Sequence, residues 1–499
     1  MKYRLLALLT ALLLLNPAHG AEKSLTFIHV NDVYELQPRQ GLGGVAFLAT
    51  LLKEYRLQDP QLAFTFGGDL LSPSWLSGMS KGSQMIEAMN ALGLDVAVPG
   101  NHEFDFGAEN MLKQIGASHA TWLAANMSTP EGSPLPSIRR HLIREMNGVK
   151  VGFFGVITPQ TATTSKPGNQ VIFTPFLENS RKQVAELKAE GAQLIVALSH
   201  LLLSEDRQLA AEVKGIDLIL GGHDHDPIAI YEQGVLIVKS GSDAQYISIV
   251  KLITHDDQPG KPLHWQRAWQ VRPVADVVAD PSVQSLVTRW QKGQDEALDI
   301  SLSSVPTAFN SLQQEVRTRE NALANLIADA MCQAVGAEVA LFNGGGLRGN
   351  RNYPAGYAFT PRDILTELPF GNVTVLLEIN GLDLLTTLES ALSQVENAGG
   401  RFPHVAGMKV SYDPGRPAGQ RVVSVQVGEA PLDLKKSYKL ATTDYLASGK
   451  DGYAALLHGT LLIDASAATL LADQVKQWLL AHQDWQPRLD GRMTKLTAK

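Results

Sequence analysis

The chain has 499 residues, of which 43 are Lys or Arg and 50 are Asp or Glu, for a net charge of −7; hydrophobic residues make up 44% and a single cysteine is present. These values exclude a disordered chain, a collagen-like repeat and a disulfide scaffold, and the absence of a basic block argues against a nucleic-acid backbone as partner. The length predicts two or three domains, each able to bury its own core.

In chain order, Lys2 and Arg4 precede an apolar run from Leu5 to Leu15, followed by Pro17 and Ala18-His19-Gly20-Ala21. This pattern predicts a signal peptide over residues 1–20, cut before Ala21, because the run is about half the roughly 20 residues a membrane span needs. Its removal would take the net charge to −9, place the chain in a bacterial periplasm or the medium, and leave no membrane segment. Cys332 cannot form an intramolecular disulfide, and its neighbours Leu326, Ile327, Ala330 and Met331 predict burial as a small hydrophobe.

From residue 24 to 240, short apolar runs end in Gly, Asp, Asn or His: Leu25–Val30, Leu62–Phe66, Asp95–Val98, Trp122–Ala125, Val149–Ile157, Leu194–Leu198, Ile216–Leu220 and Val235–Val238. They predict buried strands. Ala46–Tyr55, Ser83–Leu92, Ala108–Ile115 and Asn179–Glu190 carry helical spacing, so the region 21–280 is expected to be a layered α/β domain. Ser282, Val283, Leu286, Val287 and Trp290 predict an amphipathic linker helix over 281–299, started by Asp280-Pro281. A second α/β domain is expected over 300–499, with strands near Val339–Phe342, Val373–Ile379, Met408–Tyr412 and Val422–Val427.

Polar residues close the first-domain runs in a fixed order: Asp32, then Gly68-Asp69, Gly100-Asn101-His102-Glu103, His200, and Gly222-His223-Asp224-His225. Any one of them reads as a turn or helix cap; all of them at strand ends predict convergence on one sheet edge. The set resembles the calcineurin-like metallophosphoesterases, with four of five motif blocks intact. That resemblance implies an N-terminal α/β sandwich holding two divalent ions. Asp69 would bridge them, Asp32 and His225 would complete one site, and Asn101, His200 and His223 the other. Two such cations could hold a phosphate oxygen and acidify a water. Nitrogen and oxygen donors suit Mn, Zn, Co or Fe, with Mg also possible, and do not choose among them.

The first block departs from the family: Tyr34 stands where a histidine is usual. Tyr34 ligates through its oxygen, or a water takes that place, or the ring only packs; the sequence leaves the three open. Asn101-His102-Glu103-Phe104-Asp105 resembles the 5'-nucleotidase branch, which implies His102 and Asp105 as a catalytic dyad. A cap for the helix near Gly107 is the plainer reading of Asp105.

In the second domain, Asn343 to Arg348, Pro369-Phe370-Gly371-Asn372 and Ser448 to Tyr453 are glycine-containing loops, and glycine more often serves a turn than a ligand. Their ordered set resembles the C-terminal domain of 5'-nucleotidases. The resemblance implies that Phe370 and Tyr445 stack on a base, Asp451 with Asn343 or Asn372 bonds ribose or base, and Arg317 and Arg348 hold phosphate. The site would lie between the domains, with a nucleoside 5'-monophosphate as substrate. The same motifs also suit a UDP-sugar hydrolase or a 2',3'-cyclic nucleotide phosphodiesterase with 3'-nucleotidase activity. A non-catalytic periplasmic nucleotide-binding protein is the rival from another class, and oligomeric state is not legible.

Overall fold

The computed structural model describes residues 22–39, 41–254 and 264–496; the expected signal segment lies outside them. Two compact units emerge. One takes the chain up to Leu71 together with Gly82–Val287, and the other takes Ser72–Lys81 together with Thr288 onward.

The first unit is a sandwich of two sheets. In one, the strands run Gln266–Pro273, Tyr246–Thr254, Lys23–Val30, Ala63–Phe66, Val96–Ala97, Thr121–Leu123 and Ile138–Arg139 across the sheet; in the other, Pro227–Glu232, Val235–Ser240, Leu218–Gly221, Leu194–His200, Val149–Ile157 and His141–Met146. The central pairs of both sheets are parallel, while antiparallel strands flank them. Period-two alternation divides the side chains between two layers. Phe153, Val196 and Leu198 meet Phe27, Val96 and Val250 between the sheets, whereas Phe154, Ile195 and Ala197 lie against Val184, Leu187 and Leu209 of the helices Phe176–Ala189 and Leu203–Glu212. These strands are buried on both faces, so they read as unbroken apolar runs, as parallel strands do.

The predicted first-unit elements are all present within a few residues. The sequence did not announce the helices Trp75–Ser80 and Leu203–Glu212, or the antiparallel strands 141–146, 227–232, 246–254 and 266–273. A helix spans Pro281–Leu298, and the division between the units falls within it, after Val287.

In the second unit, a five-stranded sheet orders Pro403–Ala406, Val339–Asn343, Ser437–Thr443, Thr374–Asn380 and Thr460–Ile463, and a four-stranded sheet orders Ala430–Pro431, Val422–Val427, Met408–Tyr412 and Met493–Lys495. The helix Ala322–Val335 covers one face of the larger sheet. Asn321 caps its start by accepting from the Leu323 and Ala324 amides, and Gly336 ends it in the left-handed region. Trp75, from the short helix Trp75–Ser80, joins this core beside Leu471, Ala472 and Val475. The Lys476 ammonium lies 4.4 Å from the Trp75 ring centre. Cys332 is partly buried at the rim of the same cluster, and its thiol faces the Ala337 carbonyl at 3.0 Å.

Candidate metal centre and recognition residues

In each sheet of the first unit the central strands are parallel, so the residues that follow them gather at one edge. Asp32 follows Lys23–Val30, Asp69 follows Ala63–Phe66, Asn101 and His102 follow Val96–Ala97, His200 ends its own strand, and His223 and His225 follow Leu218–Gly221. Asp32, Asp69 and His223 all adopt left-handed backbone, with φ of 54°, 64° and 78°. Non-glycine residues pay for that conformation and keep it only where their surroundings over-determine it. Here Asp32 is fixed by its amide on the Gly68 carbonyl and its carbonyl on the Asp243 amide. Its carboxylate accepts from the Asn31 side chain at 2.6 Å and the His223 amide at 2.9 Å. Gly68 and Gly100 have no freedom to be anything else: a Cβ on Gly68 would stand 2.5 Å from His200 Nδ1, and one on Gly100 would overlap the Asp69 carboxylate.

The side chains then oppose one another. His200 Nδ1 donates to the Gly67 carbonyl at 2.8 Å, which leaves Nε2 with a lone pair. That lone pair faces Asp69 Oδ2 at 3.1 Å, Asn101 Oδ1 at 3.1 Å and His223 Nδ1 at 3.2 Å, all fully or nearly buried. Among the described residues, Asp69 Oδ2 has no hydrogen-bond donor. Acceptors facing acceptors in a low-dielectric interior repel unless a cation lies among them. Asp69, His200 and His223 each offer one ligand atom, all within 4.8 Å of one another. Burial lowers the basicity of His200, yet the Asp69 and Asp32 carboxylates outweigh it and bring its pKa up to about 9. A proton there does what a metal ion would do. The donor set fits a divalent ion of the transition series.

Asp32 and His225 form the adjacent group, with Oδ1 and Nε2 3.4 Å apart. Burial alone would raise the Asp32 pKa, but His225, His200 and Asn31 hold it well below the usual carboxylate range. The Tyr34 hydroxyl sits between the two, donating to Asp32 Oδ1 at 3.0 Å and lying 2.9 Å from His225 Nε2. Burial, followed by the negative charges of Asp32, Asp69 and Asp243, pushes the phenol well above its ordinary pKa. Its backbone is anchored on Asp243 through the Tyr34 amide at 3.1 Å.

His102 is buried, and its Nδ1 meets Asp105 Oδ2 at 2.7 Å, while Ser165 donates to the other Asp105 oxygen at 2.9 Å. Asp105 therefore serves His102; the helix Gly107–Ala117 begins without a side-chain cap. Glu103 belongs to the same motif but has no role that its spacing could suggest. Its carboxylate gathers the Asp69, Leu70, Leu71 and Gly100 amides and welds two ligand-bearing turns together. Burial and the neighbouring Asp69 raise its pKa to about 7. Asn31 works alike, bonding Asp32, the Gly241 carbonyl and the Ser240 amide. Neither belongs to the expected ligand set, so no ligand spacing could reveal it.

In the second unit, the Asn343 amide donates to Asp451 Oδ2 at 3.0 Å, and Asp451 holds left-handed backbone at φ 53°. The Arg348 guanidinium lies 4.9 Å over the Phe370 ring. Burial and then Arg348 lower the pKa of Arg317, so two guanidinium groups share one neighbourhood. Phe370 and Tyr445 are 50% and 45% exposed, unlike the aromatic core around Tyr353 and Tyr453. Asn372 is half-buried, and its carbonyl accepts from the Leu471 amide.

Residues 25–227 match the family model for calcineurin-like phosphoesterases, and residues 300–458 match that for the 5'-nucleotidase C-terminal domain. A 5'-nucleotidase of Diplobatis ommata is 26% identical over 98% of this chain and 92% of its own length. The trifunctional nucleotide phosphoesterase protein YfkN of Bacillus subtilis is 27% identical over 86% of this chain, which spans 32% of that longer protein. Among solved structures, a 5'-nucleotidase precursor from Thermus thermophilus aligns over 95% of this chain and all of its own, with 28% identity and a TM-score of 0.57. The NAD nucleotidase of Haemophilus influenzae shares the fold at a TM-score of 0.81 and 21% identity, over 95% of this chain and all of its own.

Proposed function

We infer the substrate of this chain from its kinship: it belongs to the 5'-nucleotidase family, joining a calcineurin-like phosphoesterase domain to a 5'-nucleotidase C-terminal domain, and it is a metal-dependent phosphoesterase. Its reaction is hydrolysis of nucleoside 5'-monophosphates to nucleoside and phosphate. The observation that carries this reading is the pairing, in the second unit, of two half-exposed aromatics with two neighbouring guanidinium groups and the Asn343–Asp451 couple. A base, a phosphate and a ribose present those three chemistries.

Asp32, Asp69, Asn101, His200, His223 and His225 would hold two divalent ions, which supply charge to neutralise the phosphate and an acidified water as nucleophile. Asp105 accepts a hydrogen bond from His102 Nδ1 and so orients the ring; with His102 as the imidazolium, its Nε2–H gives the proton to the departing ribose oxygen and the ring is left as the neutral Nδ1–H imidazole. Tyr34 steadies Asp32 and His225 through its hydroxyl and remains a phenol. Arg317 and Arg348 hold the phosphate oxygens, Phe370 and Tyr445 sandwich the base, and Asp451 with Asn343, aided by Asn372, orients the ribose. Lys2, Arg4 and the Leu5–Leu15 run support export to a periplasm or the medium; among the described residues no helix is long and apolar enough to cross a membrane.

Phosphate release from AMP by chelator-stripped protein, reloaded in turn with Mn, Co, Zn and Mg, tests the reading. Metal-dependent release from AMP supports it. Turnover confined to UDP-glucose or 2',3'-cyclic AMP would replace it with another phosphoesterase activity, the kind of breadth the name of the Bacillus subtilis relative implies. Nucleotide bound and left intact would favour a binding protein.

A further inference from the structure

Lys239 is a fully buried cation in the first unit to which the reaction above gives no task. It lies on the strand Val235–Ser240, and its ammonium donates to the Leu201 carbonyl at 2.6 Å, the Gly222 carbonyl at 2.8 Å and Asp224 Oδ2 at 2.5 Å. Asp206 Oδ2 is a fourth neighbour at 2.8 Å, while its other oxygen accepts from Ser199 at 2.6 Å. An ammonium has three N–H bonds, so four oxygens at these distances use it fully.

The partners are not scattered. Leu201 directly follows the ligand His200; Gly222 directly precedes the ligand His223; Asp224 stands between His223 and His225. Lys239 thus grips the chain on both sides of His223, the residue held at φ 78°. Strained backbone of that kind costs on the order of 1 to 3 kcal/mol and relaxes when its restraints are removed.

We propose that Lys239 is a positioning residue for the metal centre, clamping the turn that carries His223 and His225 to the turn that carries His200 through one ammonium group. The inference rests on the reading that these histidines hold metal. A cation this close to two metal ions is tolerable because Asp206 and Asp224 surround it with opposite charge. The lysine therefore fixes geometry without adding net positive charge where the ions must bind.

The test is titration of the chelator-stripped full chain with Zn(II) against a chromophoric chelator, in wild type, Lys239→Met and Asp224→Ala. Asp224→Ala releases one of the grips and leaves no unpaired carboxylate in the core, so it reports even where Lys239→Met fails to fold. Expected are two zinc ions in wild type, an affinity about 10- to 100-fold weaker in Lys239→Met, and a smaller loss in the same direction in Asp224→Ala. The KM for AMP at saturating metal should stay within about twofold of wild type, since the recognition residues are untouched. A merely structural lysine would lower the unfolding temperature of both variants while the folded fraction bound zinc as wild type does; that result, in either variant, overturns the proposal. Wild-type protein that takes up no metal would sink the metal-centre reading and this inference together.

Discussion

The two units solve opposite problems with their reactive side chains. In the first, ligand atoms that repel one another are brought within 3.1 to 3.2 Å, and the fold holds them there by burial, by three non-glycine residues in left-handed backbone, and by Glu103 and Asn31, which take up the surrounding backbone groups. In the second, Phe370 and Tyr445 stand half in solvent, and the Arg317 and Arg348 guanidinium groups share one neighbourhood despite their like charge. On the proposed reading, a site for a cation is assembled beforehand against electrostatic resistance, and a site for a base is left unfilled by its own protein.

This contrast breaks first, and hardest, at Asp69. Asp69→Asn should abolish measurable turnover and lower metal stoichiometry, which elemental analysis of the purified protein would register; full activity with two ions bound would remove Asp69 from the centre. Next, His102→Ala should reduce kcat by about 10²- to 10⁴-fold while the metal content stays at the wild-type value. Loss of metal in that variant would make His102 a ligand and not an acid.

The second unit should respond in binding and not in metal content. Phe370→Ala and Tyr445→Ala should each weaken nucleotide recognition by about 1 to 3 kcal/mol, roughly 5- to 150-fold in kcat/KM, carried mainly by KM. An equal fall in kcat would mean that stacking is used in the transition state. Last comes Tyr34→Phe, which deletes a buried hydrogen bond to the ionised Asp32 carboxylate and a contact with His225, worth about 1.5 kcal/mol, or roughly 10-fold in activity. The wild-type protein should be colourless. A visible absorption band that vanishes in Tyr34→Phe would instead establish a ferric phenolate.

The same difference explains what was legible beforehand. The buried parallel strands of the first unit are continuous apolar runs, so 149–157 was bounded to the residue and 194–200 nearly so; the candidate ligands were legible because polar residues ended those runs. The strand 266–273 is largely exposed and carries neither a continuous apolar run nor a regular alternation, so it left no such trace. Helix Trp75–Ser80 was invisible because six residues give no period to read. Asp105 had two readings in sequence, and only its 2.7 Å contact with His102 separates them. Lys239 lies one residue beyond the predicted run Val235–Val238, and its meaning lies in carbonyl and carboxylate partners distant in the chain.

Because Ser72–Lys81 belongs to the second unit although the residues on both sides of it belong to the first, the chain passes between the units three times. The parts are therefore not separable at the level of the gene. A coding sequence stopped after Val287 would still specify Trp75 and Leu76 while omitting Leu471, Val475 and the other side chains that cover this segment, and one begun at Thr288 would fold around a gap where an indole belongs. Recombination that exchanges one recognition unit for another has to replace a short internal cassette as well as the long tail, so descent is expected to keep the two halves of this chain together.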